Sequence, residues 1–181
     1  MFGKEIQLKD GKTCIFRQPL EDDAQNILDY LNRISSETDF ITYGKGEMNC
    51  TLEEEQRFIK DHLEDNNKML LIAEIRGNIA GMADFTGGKQ QRILHIGEFG
   101  ITVLRKYWGL GIGHALTETI IEWAKQSEIV RKINLKVRVD NERAIQLYKR
   151  FGFVIEGTIS RQLLIDNTFY DAYFMGLSID V

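Results

Sequence analysis

The chain has 181 residues and 43% hydrophobic content, which fits one globular domain over residues 1–181 with a single core. Its 23 basic and 27 acidic residues leave a net charge of −4, so nothing global suggests a nucleic-acid surface. No apolar run approaches the roughly 18 residues of a spanning helix, and the N-terminal Met1–Glu5 lacks the apolar core of a secretory signal, so the expectation is a cytoplasmic protein with no membrane partner.

Taken in chain order, Glu5 to Arg17 reads as two short strands around Asp10-Gly11, a strong hairpin signal between alternating apolar positions. Cys14 and Cys50 show no CxxC or Cys/His spacing and read as free thiols, so neither a disulfide nor a metal site is expected. After Pro19, the only proline, Ala24, Ile27, Leu28 and Leu31 repeat with the spacing of one buried helical face, and Glu21, Asp22 and Asp23 suit a helix N-terminus. Ser35 to Cys50 is polar and irregular, yet it carries Phe40, Ile41 and Tyr43, as a loop closing over a ligand would. Thr51-Leu52-Glu53-Glu54 matches a capping box, and Leu52, Ile59 and Leu63 are expected to form that helix's apolar face. Met69–Ile75 and Ile79–Phe85, joined at Arg76-Gly77-Asn78, read as an antiparallel pair, with a third strand over Arg92–Val103.

The next segment, Ile101–Leu116, runs from strand through Trp108 into Gly109, Gly111 and Gly113 and then into a helical stripe of Ile112, Leu116, Ile120 and Trp123. Glycines permit backbone bends that side chains forbid, and the free amides of a helix start favour a phosphate group. A dinucleotide fingerprint is not met, because these glycines do not give G-x-G-x-x-G and no acidic residue ends a second parallel strand about 20 residues on. Ile133, Leu135, Val137 and Val139 alternate as a strand. Ala144, Leu147, Tyr148 and Phe151 form another helical stripe, which Gly152 ends in the manner of a left-handed cap. Val154–Leu164 and Phe169–Leu177, separated by Asp166-Asn167, complete a hairpin.

Two elements carry a resemblance. Trp108-Gly109-Leu110-Gly111-Ile112-Gly113 is similar to the pyrophosphate motif Q/R-x-x-G-x-G/A, with Trp108 in the Gln/Arg slot. Asn141 to Phe153 resembles N-x-x-A-x-x-L-Y-x-x-x-G-F almost position for position. With a strand between them, they identify the chain as similar to the GNAT (Gcn5-related N-acetyltransferase) superfamily over nearly its whole length. The grouping is with bacterial ribosomal-protein N-terminal and spermidine acetyltransferases. The resemblance implies an α+β fold, with a mostly antiparallel twisted sheet of about seven strands splayed at the cofactor site and about four flanking helices.

It also implies a reaction: acetyl-CoA as cosubstrate, no metal, and transfer to a primary amine by direct attack in a ternary complex. The main chain of Ile101, Thr102 and Val103 would hold the pantetheine arm and acetyl carbonyl. The turn Trp108, Gly109, Leu110, Gly111, Ile112, Gly113 and His114 would hold the pyrophosphate, through backbone amides since Trp108 cannot act as Gln or Arg. Arg105 and Lys106 could add charge there or simply be solvated. Asn141 would bond near the pantetheine, or cap its helix, or both. Tyr148 would protonate the leaving sulfur. Glu98 would serve as the base for the amine, with a pKa raised if it is buried; His95 is a weaker rival. A non-catalytic acyl-CoA-binding module is the competing reading, opposed by the intact Tyr148 and Asn141.

The acceptor is expected to be a small cationic amine or a peptide N-terminus, bound by the Ser35–Cys50 loop and the hairpin at Asp166-Asn167. Glu37, Asp39, Glu47, Asp166 and Asp171 could attract a cation, and Phe40, Tyr43, Phe169 and Tyr170 could pack a less polar group. A homodimer is possible.

Overall fold

A computed structural model describes residues 3–180; Met1, Phe2 and Val181 lie outside the described residues. The chain opens with the expected hairpin, β1 (Gly3–Gln7) and β2 (Thr13–Arg17), turned at Gly11 with φ +79°. A single 3-10 turn leads into α1 (Ala24–Ile34), and Thr51 caps α2 (Leu52–Glu64) with both bonds of the capping box in place. Then follow β3 (Lys68–Ile75), β4 (Asn78–Gly87), β5 (Ile96–Val103), α3 (Ile112–Gln126), β6 (Lys132–Arg138), α4 (Glu142–Arg150), β7 (Val154–Ile165) and β8 (Thr168–Ser178).

These strands form one eight-stranded sheet in the order β1-β2-β3-β4-β5-β6-β8-β7, antiparallel except between β5 and β6. All eight strands are ones read from the sequence, one more than the about seven that the resemblance implied, and β1 is an edge paired with β2. Two other expectations shift. β5 begins at Ile96 rather than Arg92, because residues 89–95 make turns. In α2 the buried residues are Glu55, Ile59 and His62, whereas Leu52 and Leu63 stand 39% exposed. The helix is therefore rotated so that a partly polar face meets the sheet.

Helices cover both faces. Ile112, Leu116 and Ile120 of α3 and Ile145 and Tyr148 of α4 pack with Phe85, Phe99, Ile133 and Leu135 on one side. Ile27, Tyr30, Leu31 and Ile34 of α1 and Ile59 of α2 pack with Leu70, Ile72 and Ile79 on the other. β3, buried on both faces from Met69 to Ala73, accordingly reads as a continuous apolar run.

The sheet opens in one place. β4 pairs with β5 from Gly81↔Val103 to Gly87↔Gly97, and β6 pairs with β8 along its full length. Between them, β5 and β6 pair only at Ile96↔Lys132, Gly97↔Ile133 and Glu98↔Asn134. Beyond Glu98 the two strands diverge into a cleft.

Candidate active site

Strand alternation decides which backbone groups face that cleft. Leu104 donates its N–H to Ala80 and Ile96 accepts from Gly88, so even-numbered residues of β5 direct their main chain toward β4. Phe99, Ile101 and Val103 therefore direct theirs toward β6, into the space where β6 has departed. Backbone polar groups need partners, and an amide-bearing ligand arm can supply them. Of the three residues expected to act through their main chain, Ile101 directs both groups into this space, and Val103 offers its N–H, its C=O being taken by the Trp108 indole. Thr102 does not: it pairs with Met82 through its backbone, and its hydroxyl bonds Tyr30 Oη at 2.8 Å.

At the cleft's end the chain makes the glycine turn. Gly109 has φ +82° and Gly111, the N-cap of α3, φ +100°, a region side chains rarely enter. The first intrahelical bond runs from Ala115 N–H to Gly111 C=O, so the amides of Gly111, Ile112, Gly113 and His114 have no helical acceptor. They form the positive end of the helix dipole. Gly113 is an ordinary helical residue, whose added Cβ would sit 3.6 Å from Leu147. Trp108 does more than occupy the Gln/Arg slot. Its indole N–H donates to Val103 C=O at 2.6 Å, and the guanidinium groups of Arg105 and Arg143 lie over its ring at 5.6 and 4.9 Å. It braces the strand end against the turn and lends it two cations. Arg105 is also fastened to the α1–α2 loop, donating its backbone N–H to Glu37 Oε2 and a side-chain N–H to the Glu37 carbonyl.

The second motif lies across the cleft. Asn141 caps α4, its Oδ1 accepting from Ala144 N–H at 3.2 Å, and its side-chain NH2 has no protein acceptor among the described residues. Tyr148 is 7% exposed, its ring between Phe99 and Phe153 at centroid distances of 6.2 and 5.7 Å. Burial pushes its phenol well above the ordinary range, so it keeps its proton at neutral pH. Its hydroxyl makes no protein hydrogen bond among the described residues. Phe99, against which it packs, is the first residue of β5 past the last β6 pair.

On the α1/α2 face the titratable groups differ from expectation. Glu98 lies at the mouth of the cleft, but its side chain is 65% exposed and accepts from Lys136 Nζ at 3.0 Å. The condition for a raised pKa, burial, is met instead by Asp84, opposite Gly100 on β4, which loss of hydration lifts to about 6. Burial also raises Glu55, and it pushes Tyr43 up to about 12, helped by the charges of Asp84 and Glu55. The acidic loop residues are tied up: Glu37 with Arg33 and Arg105, Glu47 with Gly44 N–H, Asp171 with Arg161 N–H. Arg138 pins the loop to the sheet. Its guanidinium is held by Asp140, donates to Asp39 C=O, and is stacked between Phe40 and Tyr170 at 4.3 and 4.1 Å. A cavity of about 290 Å³ lies among Ser36–Phe40, Arg105, Trp108 and Arg138.

Residues 29–153 match the family model described as Acetyltransferase (GNAT) family. The chain belongs to the GNAT acetyltransferase family. It is 36% identical over 105 residues to L-amino acid N-acetyltransferase AaaT of Escherichia coli, a match spanning 58% of this chain and 65% of AaaT. A GNAT-family acetyltransferase crystal structure from Streptococcus pneumoniae superposes with TM-score 0.90 at 36% identity, covering 92% of this chain and 99% of that one. The acetyltransferase yncA of Salmonella typhimurium, solved with its cofactor acetyl-CoA, shares the fold at TM-score 0.80 and 18% identity, over 92% and 94% of the two chains. The chain is thus a GNAT-family acetyltransferase in sequence and in fold.

Within this GNAT fold the histidine side chains are engaged elsewhere or packed away. His62 is buried, bonding Phe58 C=O at 2.8 Å, and burial lowers its pKa. His114 stacks on Phe151, and His95 accepts Arg131 and Lys132 amides through its backbone. Cys14 and Cys50 are free thiols; burial pushes Cys14 up to about 12, which leaves it protonated and a poor nucleophile. Sequence reasoning did not single out Asp84 and Glu55, the carboxylates whose pKa burial raises. Asp84 did leave a trace, as the one charge inside the apolar run Ile79–Phe85.

Proposed function

We propose that this chain, as a cytoplasmic homodimer, acetylates a small cationic primary amine by direct attack on acetyl-CoA, with Tyr148 as the acid that protonates the departing sulfur. Acetyl-CoA lies with its pantetheine arm along Ile101 and Val103 and its pyrophosphate on the amides from Leu110 to His114, and Asn141 uses its free NH2 on the arm. The observation that carries the reading is convergence at one opening. The unpaired edge of β5, the free amides at Gly111 and the proton-bearing Tyr148 all border the cleft that begins after Glu98. A buried phenol is neutral before reaction and can give its proton to a thiolate as the C–S bond breaks. Carboxylates without cationic partners on the acceptor face favour a cation over a peptide chain, and a peptide N-terminus is the second acceptor this chemistry fits. The homodimer would join at the β7 edge, where Val154 and Leu164 are exposed, and a monomer in sedimentation equilibrium would remove that part.

The test pairs calorimetry with acetyl-CoA and a free-thiol assay over a panel of polyamines, amino acids and short peptides. Tyr148→Phe should bind acetyl-CoA as the parent does and lose about 10²-fold or more in kcat. Turnover unchanged in that variant across pH 6–9 would remove Tyr148 from the reaction.

A further inference from the structure

We propose that Asp84 holds the acceptor's ammonium group and takes its proton, while Glu98 and Lys136 form a closed ion pair at the rim. The inference rests on the acetyl-transfer reading above.

The geometry begins with β4–β5 pairing. Asp84 stands directly opposite Gly100, on the face of the sheet covered by α1 and α2. Gly100 follows the last β5–β6 pair by two residues; its own main chain faces β4, while Phe99 and Ile101 on either side direct theirs to the cleft. A Cβ on Gly100 would lie 2.6 Å from Asp84 Oδ1. The carboxylate thus lies across the bare backbone of Gly100, a position only glycine leaves open, and points at the strand whose neighbouring residues, Phe99 and Ile101, face the thioester side.

The second observation is the lack of any cation on that carboxylate. Among the described residues no lysine, arginine or histidine pairs with Asp84. The groups around it are acidic or neutral. Glu98 on β5 and Tyr43 on the loop act on its charge, and Tyr43 also feels Glu55 on α2; the elements over this face further carry Tyr30 on α1 and His62 on α2, while Lys68 on β3 is held by Asp65 and Lys136 on β6 by Glu98. Glu55 is 5% exposed, and its Oε1 is buried with no hydrogen-bond partner. A buried acceptor oxygen of this kind costs free energy until a donor arrives. An alkylammonium brings three donors and the missing positive charge in one group.

The proton balance closes. The bound ammonium gives one proton to Asp84, and the neutral amine attacks the thioester carbon. The C–S bond breaks as Tyr148 protonates the sulfur, and the second amine proton restores Tyr148. Asp84 then releases its proton to water, which is the one proton the overall reaction yields. Burial raises the Asp84 pKa toward the range a base near neutral pH needs, whereas Glu98 stands exposed and already holds Lys136.

The test uses the full chain with acetyl-CoA and the best amine of the panel, over pH 5–9. Asp84→Asn should lower kcat about 10²-fold or more, abolish the acidic limb of the kcat/KM profile near pH 6, and leave acetyl-CoA affinity by calorimetry within about twofold. Glu98→Gln should keep the acidic limb and stay within about fivefold in kcat. Gly100→Ala, which displaces the carboxylate without removing it, should fall between these while still binding acetyl-CoA. Asp84→Asn within about threefold of the parent with its acidic limb intact, or loss of that limb in Glu98→Gln, overturns the assignment. A parent enzyme that binds acetyl-CoA but releases thiol with no amine overturns the transfer reading itself, and Asp84 with it.

Discussion

If Asp84 is kept for chemistry rather than for folding, its removal should stabilise the protein, and only where the carboxylate would be ionised. Its folded pKa is lifted from an ordinary 3.8 to about 6 by burial, with the Glu98 charge adding to it. A raised pKa means that the stabilising form is the protonated one. The contribution is fully present below about pH 4 and is lost as pH rises through 6. At roughly 1.36 kcal/mol per pKa unit, the ionised carboxylate costs up to about 3 kcal/mol above pH 7, and solvent reaching this half-buried group brings that to about 1.5–3 kcal/mol. Asp84→Asn keeps the shape and deletes the charge. At pH 8 its melting temperature should exceed the parent's by roughly 3–12 °C, taking about 2–4 °C per kcal/mol for a chain of this size. At pH 4 the difference should nearly vanish. Calorimetric or denaturant unfolding of both proteins at the two pH values measures it, and other titrating groups cancel in the difference. An equal gain at both values would assign it to packing, and no gain at pH 8 would show the carboxylate to be well solvated. Either result refutes the reasoning.

Two further perturbations probe the frame around the cleft. Gly111→Val places a β-branched residue at φ +100°, a strain of about 1–3 kcal/mol that the turn relieves by moving its amides, so acetyl-CoA should bind about 10–100-fold more weakly by calorimetry. Arg138→Ala removes the bonds to Asp140 and Asp39 and the stack between Phe40 and Tyr170. Charge-assisted bonds of this kind are worth about 1.5–3 kcal/mol, so releasing the loop should raise the amine KM by roughly tenfold or more while acetyl-CoA affinity stays put.

The parts of this molecule that sequence reveals are those whose cause is local. Asp10-Gly11 bends because Gly11 takes a positive φ, Thr51 and Glu54 close a capping box within one turn of helix, and Gly152 ends α4 at φ +92°. The glycine turn and the Asn141–Phe153 segment belong here too, since each is set by residues a few positions apart. Where the cause is register, the sequence falls silent. Thr102 looked equivalent to Ile101 and Val103, and only the Leu104-to-Ala80 bond shows that its main chain faces β4 rather than the cleft. In α2 the hydrophobic pattern chose Leu52 and Leu63, whereas the buried stripe is Glu55, Ile59 and His62, two of them polar. The buried stripe of this helix includes polar side chains, so apolar periodicity points to the wrong side. Asp84 combines both effects. Its surroundings depend on Gly100 across a strand pair and on Tyr43 in the loop, and neither is near it in the chain. Glu98, by contrast, had the expected strand and the expected neighbours, and Lys136, a partner fixed by the parallel pairing of β5 and β6, holds it at the surface. The base of a reaction is defined by what lacks a partner, and partners are a property of the fold.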